Sequence, residues 1–296
     1  MNERTYGNTH LFVIPAIIWG STWYVITFQL GKVDPLLSVA YRFLGGAFIL
    51  FTYCFIKKKP LKYSWKEHAR IGLQGSLLFG INYWLVYQSE SLINSGLVAV
   101  AFSTIIFFNM IFGAIFLKLK IVSKVISGAL LGLVGTIIIF KDELQSIDAS
   151  GDTMTGILLC FLGVASASLG NIVSASNSKM KIPVIQSTAY GMGYGGLMML
   201  AIALGLGKEF AFDTSLEYVL SLSYLTIFGS IIAFVTYLTL ISKIGPDRAA
   251  YAIVLLPLIA VTISTLLEGF NFTVYTALGM LLLLLGNYFA LAKKGK

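Results

Sequence analysis

Long apolar runs, each about the length needed to cross a bilayer, follow one another from residue 11 to residue 292 with only short polar breaks between them. A helix rises about 1.5 Å per residue, so about 20 apolar residues cross a hydrocarbon core about 30 Å thick. Backbone amides and carbonyls find no water there, and a single run closes its own hydrogen bonds only as a helix. Apolar windows read against their bounding charges predict spans near 11–30, 35–56, 70–88, 95–117, 121–140, 154–175, 183–205, 217–242, 248–267 and 273–292. Ten spans with short connections use up a chain of 296 residues and leave no soluble domain. The expected class is an all-α integral membrane protein. Only 11% of the residues are charged and 57% are hydrophobic, whereas a soluble domain carries about 25% charge. That balance excludes a disordered chain, a nucleic-acid module and a secreted disulfide scaffold. Cys54 and Cys160 lie inside apolar runs and read as small packed side chains. No small-residue cleavage site follows the first run, so it reads as a retained span.

The net charge of +8 is explained by where the basic residues sit. Lys57, Lys58, Lys59, Lys62, Lys66 and Arg70 follow span two, and Lys118, Lys120 and Lys124 follow span four. Lys179 and Lys181 follow span six, Lys243 and Arg248 span eight, and Lys293, Lys294 and Lys296 close the chain, on the same side as Arg4. The other side has Lys32, Lys141 and Lys208 among acids such as Asp148, Asp152, Glu209 and Asp213. Short basic loops stay in the cytoplasm, so both termini are expected there, and nucleic acid is not expected as a partner. The bilayer is the expected surrounding, with the protein a monomer or a weak homodimer.

The chain also resembles itself across its midpoint. Gly75-Ser76 with Tyr83 lines up with Gly229-Ser230 and Tyr237 at an offset of 154, and Gly128 and Gly135 with Gly279 and Gly286 at 151. Pro35 and Pro183 each open a second span. These pairs set residues 1–148 on 149–296 as two five-span repeats. Five is odd, so the second copy enters the membrane inverted, the architecture of alternating-access transporters.

Polar exceptions to the apolar pattern mark candidate sites. Ser76, Phe79, Tyr83, Tyr87 and Glu90 recur at steps of three and four, and Ser230, Phe234 and Tyr237 repeat the pattern. Such a stripe serves either helix packing or a wet cavity, and its presence in two equivalent spans favours the cavity. Trp23, Ser103, Asn171 and Tyr251 are further cavity candidates, and Pro257 is a candidate kink in span nine. Arg42 is the charge deepest inside an apolar run, about 10 Å below one surface, where an unpaired guanidinium costs roughly 2.5–3.5 kcal/mol or more. It either snorkels outward, holds an anionic group of a substrate, or forms a gate with Glu90 or Glu268. No carboxylate sits at mid-membrane, so facilitated or exchange transport stands beside proton antiport. HExxH, GxSxG and Walker motifs and metal-spaced Cys/His clusters are all missing from the sequence, so neither an enzyme nor a cofactor is expected.

Trp19-Gly20-Ser21-Thr22, Pro35 with Tyr41-Arg42-Phe43, Gly96 through Ser103, Pro257, Glu268 and the Gly279 to Gly286 spacing together resemble the EamA family of the drug/metabolite transporter superfamily. The resemblance covers essentially the whole chain. It implies a secondary transporter in the bacterial inner membrane, commonly an exporter of amino acids or related small molecules, with a central cavity lined by spans 1, 3, 4, 6, 8 and 9. Multidrug efflux and the flipping of lipids or lipid-linked sugars are the alternatives. The halves are chemically unequal, because the Trp-Gly pair of span one meets Ala167-Ser168 and Glu268 meets Leu117.

Overall fold

The computed structural model describes residues 9–93, 98, 101–121, 123–139, 141, 151–267 and 271–291. Glu268, the junction at 148/149 and both chain ends lie outside the described residues. The described chain is helical, without a strand. Its helices are α1 (Thr9–Thr27), α2 (Pro35–Ile56), α3 (Trp65–Gly75, a π-helical stretch Ser76–Ile81, then Asn82–Glu90), α4 (Ala101–Leu117, interrupted at Thr104) and α5 (Ser123–Ile139). They continue with α6 (Gly151–Lys179), α7 (Val184–Gly205), α8 (Leu216–Tyr224, a π-helical stretch Leu225–Ile232, then Ala233–Ile244), α9 (Pro246–Ala249, Tyr251–Val254 and Leu256–Leu267) and α10 (Val274–Leu291).

Among the described residues, six helices are long and apolar enough to cross a membrane, the longest running over Gly151–Lys179 and Leu216–Ile244. Ala101–Leu117, Ile126–Ile139 and Val274–Gly286 are shorter and equally apolar. Helix ends fall where local chemistry stops them. Asp34 caps α2, its carboxylate accepting from the Leu36 amide at 2.9 Å, with Pro35 at the first position where no amide is needed. Ser64 and Glu67 form a reciprocal capping box at α3. Gly207, with φ of 65°, closes α7 in the left-handed region that a side chain would strain.

Packing follows a paired pattern. α2 lies along α7 and α5 along α10, while α6 packs on α3 and α4 as α1 packs on α8 and α9. Neither half of the chain is therefore a separate unit, since α1 and α6 each lean on the opposite half. Glycines permit the closest approaches: a Cβ at Gly135 would stand 2.6 Å from the Gly279 carbonyl oxygen, and one at Gly286 would stand 2.5 Å from that of Gly128. The 191–196 glycine run does the same work, since a Cβ at Gly195 would come within 2.7 Å of the Gly75 oxygen and 2.9 Å of Phe79 Cβ. Lipid supplies no hydrophobic drive between helices, so this van der Waals contact is what joins them.

Two departures from regular helix repeat in both halves. α3 and α8 each carry a π-helical stretch, and α4 and α9 are each interrupted, at Thr104 and at Leu255, which are 151 residues apart like the aligned glycines. Pro257, expected as a mid-helix kink, instead sits as the second residue of the segment Leu256–Leu267. At that position a missing amide leaves no bond unmade, so the helix restarts there. Replacing Gly279 by Ala, which puts a methyl 2.5 Å from the Gly135 oxygen and 2.7 Å from Ile139 Cγ1, is expected to destabilise the protein by about 1–3 kcal/mol. Thermal unfolding in detergent checks this, and an unchanged midpoint would count against tight α5–α10 packing.

Candidate functional site

The irregular points of α3, α4, α8 and α9 surround one cavity. α1 contributes Trp19, Thr22, Trp23 and Ile26 to its wall, at steps of three and four. α3 gives Leu78, Asn82, Tyr83 and Val86, and α6 gives Ala167 and Asn171. α4 and α8 add Phe102 with Ile105 and Phe234 with Tyr237, and α9 adds Ile253 and Leu256 on the two sides of its interruption. These are the helices that the resemblance implied. The space open to water centres is about 60 Å³, enough for a few waters when one needs roughly 10–15 Å³. Trp19 meets Phe234 and Tyr237 edge-on at 4.8 and 5.1 Å, and Trp23 meets Phe102 at 5.1 Å.

Polar atoms within this aromatic wall lack partners. Trp23 Nε1, Asn82 Oδ1, Asn171 Oδ1 and the Tyr237 hydroxyl are buried without a hydrogen bond. Leaving one such atom dry costs about 1–3 kcal/mol, so several facing one space call for water or a polar ligand. The Asn109 carboxamide beside Tyr237 is already engaged, accepting from Ser168 Oγ at 2.7 Å and donating to the Pro246 oxygen at 3.1 Å. That triple contact of α4, α6 and α9 closes one end of the cavity. Farther toward the basic loops, Arg70 holds Ser176 and Asn177, and Gln74 accepts from Asn177 and Ser187, each at 2.9 Å.

The opposite end is closed by a layer around Arg42. Its side chain is fully buried, so it does not snorkel, and its Nε donates to Ser230 Oγ at 2.8 Å. The guanidinium lies 4.5 Å from the ring centre of Tyr83 and 5.3 Å from that of Phe43, a cation–π pairing. Nη1 and Nη2 make no hydrogen bond within 3.5 Å, although their charge acts on the Tyr83 and Tyr87 hydroxyls. Above it, Tyr87 donates to Gln29 Oε1 at 3.1 Å, Gln29 reaches Ser221 at 3.4 Å, and Ser38 pairs with Tyr218 at 2.9 Å. Glu90, at the end of α3, has both carboxylate oxygens buried and without a donor, within electrostatic reach of Arg42 but not ion-paired to it. Beyond this layer opens a polar vestibule of about 220 Å³ between Gln29, Lys32, Asp213, Glu217 and Tyr218.

Two ion pairs, Lys32–Asp213 at 3.2 Å in the vestibule wall and Lys208–Asp34 at 2.9 Å, tie the α1–α2 connection to the α7–α8 connection, as does Tyr41 near the start of α2, donating to the Ala211 oxygen at 2.9 Å. The motif residues of α1 have separate tasks here. Trp19 Nε1 donates to the Gly229 oxygen at 2.9 Å, Gly20 lets α9 approach at Ile259, and Ser21 pairs with the Tyr224 hydroxyl at 2.6 Å.

Of the residues expected at the cavity, Trp23, Tyr83, Asn171 and Tyr237 line it. Phe79 sits behind the wall, 5.3 Å from Phe43 and 4.9 Å from Phe234, and Tyr87 belongs to the layer above. Ser103 faces Thr136 of α5 at 3.4 Å, and Tyr251 is buried away from the wall. The cause for Phe79 is the π-helical stretch: it adds residues to a turn, so a stripe counted at steps of three and four slips to a neighbouring face. Asn82 and Thr22 were missed, although a polar residue inside an apolar run was the available signal for both.

Comparison with known proteins places the chain among membrane transporters. The EamA-like transporter family matches twice, over residues 9–141 and 154–292. The uncharacterized inner membrane transporter YedA of Escherichia coli (strain K12) is 29% identical over 287 residues, covering 94% of this chain and 90% of that one. The uncharacterized transporter YoaV of Bacillus subtilis (strain 168) is 26% identical over 273 residues, covering 92% of each. Protein PagO of Salmonella typhimurium is 22% identical over 288 residues, covering 96% of this chain and 92% of that one. One solved crystal structure has the same fold, with a TM-score of 0.77, 16% identity and 97% of each chain covered.

The Ser215 amide, bonded to Asp213 Oδ1 at 2.9 Å, holds that carboxyl below its ordinary 3.8, with Lys32 adding to the effect. A depressed carboxyl contributes stability above its unfolded value and loses it only as pH falls through the folded one. The latch therefore stays charged at every pH above the ordinary value. Asp213→Asn and wild type are expected to have superimposable pH profiles of transport between about 5 and 8, checked in proteoliposomes; a profile shifted by the substitution would contradict this.

Proposed function

The chain belongs to the EamA-like transporter family, and we propose that it is a secondary transporter exporting amino acids or related small amphipathic solutes by alternating access through the central cavity. The observation that carries this reading is the convergence of α1, α3, α4, α6, α8 and α9 on one aromatic space where buried polar atoms lack partners. An aromatic wall takes the apolar part of such a solute, and Asn82, Asn171, Tyr237 and Trp23 take its hydrogen-bonding part.

Ten crossings in two inverted five-helix repeats fit the proposal. The double family match and the paired contacts of α2 with α7 and α5 with α10 support it. The basic connections support a cytoplasmic side that holds both chain ends. Polar layers border both ends of the cavity, and on this reading one of them parts to admit a solute. The π-helical stretches and the interruptions at Thr104 and Leu255 are where α3, α4, α8 and α9 lack regular hydrogen bonding, and bending there opens one layer or the other.

Reconstituted protein loaded with labelled amino acids tests the reading. Trp23→Ala and Asn171→Leu are each expected to lower transport about tenfold or more, equivalent to about 1.4 kcal/mol, with the folded fraction preserved by size-exclusion chromatography. Equal transport by both variants, or movement of fluorescent lipid alone, would defeat it.

A further inference from the structure

Arg42 is buried without its charge being matched. Its Nε is spent on a neutral hydroxyl, one face lies over a tyrosine ring, and Nη1 and Nη2 make no hydrogen bond within 3.5 Å, although their charge acts on the neutral hydroxyls of Tyr83 and Tyr87. Among the described residues no carboxylate lies within 4.0 Å of the guanidinium, and Lys32–Asp213 and Lys208–Asp34 are pairs of the distant connections. A buried guanidinium without a counter-ion is costly, and an anionic ligand offsets that cost.

The surroundings keep it next to the cavity. Tyr83, under the guanidinium at 4.5 Å, is itself part of the cavity wall. On the other flank stands Gly229, in the π-helical stretch of α8: a Cβ there would be 3.0 Å from Nη2 and 3.1 Å from Cγ2 of Thr22, another wall residue. A side chain at Gly229 would thus crowd both the guanidinium and a wall residue, and the Gly229 backbone is held in place by Trp19 Nε1. The unpartnered polar atoms also differ in sign. Donors, Nη1 and Nη2, stand at the Arg42 end, whereas Asn82 and Asn171 present free carbonyl oxygens to the cavity beside one free donor, Trp23 Nε1, and the Tyr237 hydroxyl, the Asn82 orientation being set by its Nδ2 donating to the Leu78 oxygen at 3.4 Å.

We infer that Arg42 is the specificity-determining residue for an anionic group of the transported solute, which lies with its carboxylate toward Nη1 and Nη2 and its N–H groups toward the Asn82 and Asn171 oxygens. The substrate class is then a carboxylate with an adjacent amine or amide, and uncharged analogues are rejected because they leave the guanidinium unmatched. The inference rests on the cavity being the transport site. Among the described residues the rival anion is Glu90, since its buried oxygens are free and the field of Arg42 reaches it.

Binding is measured by thermal shift and calorimetry on the purified full chain in nanodiscs, with matched probes: L-leucine and L-leucinamide, L-phenylalanine and L-phenylalaninamide, benzoate and benzamide. The carboxylates are expected to bind at least about tenfold more tightly than the amides, the worth of one charge-assisted hydrogen bond. Arg42→Gln removes that difference, Arg42→Lys keeps part of it, and Glu90→Gln retains it. Trp23→Ala weakens both members of each pair, which separates a failure of the cavity from a failure of the anion site. Three results overturn the inference: Arg42→Gln discriminating like wild type, Glu90→Gln erasing the difference as Arg42→Gln does, or no carboxylate binding better than its amide. If Arg42→Gln does not fold, Arg42→Lys and Glu90→Gln decide.

Discussion

Inside a bilayer every backbone amide must find its acceptor within the protein, and this single demand shapes the rest of the molecule. Regular helix meets it at each residue, so any departure from regularity must be supported by a neighbouring helix or by a polar cavity. The departures here are grouped accordingly. The π-helical stretches of α3 and α8 and the interruptions of α4 and α9 lie around the same space, and α2, α5, α7 and α10, which contribute no wall residue among those described, carry none. The four irregular helices and the regular α1 and α6 provide the site, and the other regular ones, paired as α2–α7 and α5–α10, provide the frame.

Much of this was legible in the sequence because bilayer constraints act over whole segments. Apolar run length gave the helices, and the glycines aligned at an offset of 151 prove to face one another: Gly135 meets Gly279 and Gly128 meets Gly286. Swapping each member of one pair for its aligned counterpart produces the other pair. Arg42 stood out because a charge inside an apolar run has no inexpensive place to go. The side-chain directions were less accessible. A stripe drawn from Ser76 to Glu90 assumes a constant 3.6 residues per turn, and the π-helical stretch within it turns Phe79 toward α2 and α8 and brings Asn82 to the cavity instead. No local residue pattern announces that stretch: it is held by the tight passage of Gly75 and Phe79 along Gly191 and Gly195 of α7, a tertiary cause.

The two ends of the cavity are closed by different chemistry, although the halves that build them are related. Toward the basic connections the closure is neutral at its narrowest point, with Asn109 bridging Ser168 and the Pro246 carbonyl. At the other end it centres on a cation, Arg42, whose counterpart at the offset of 148 that joins Pro35 to Pro183 is Tyr190. Tyr190 points away from the core, its hydroxyl donating to the Leu61 oxygen at 2.8 Å beside His68. The duplicated frame thus holds one neutral closure and one charged closure.

That inequality has a mechanical consequence. Both closures are networks of hydrogen bonds between helices, and either would part only if something replaced the bonds it lost. For the Asn109 closure water suffices, because amides and hydroxyls exchange protein partners for water at little net cost. The Arg42 closure differs, since a guanidinium between Tyr83, Phe43 and Ser230 gains much more from an anion or from hydration than from its present neutral partners. A ligand shifts a conformational equilibrium only by its differential affinity for the two states. On the proposed cycle, an anion reaching Nη1 and Nη2 has such a differential at the charged closure and none at the neutral one, which makes the charged end the place where a bound solute would bias it.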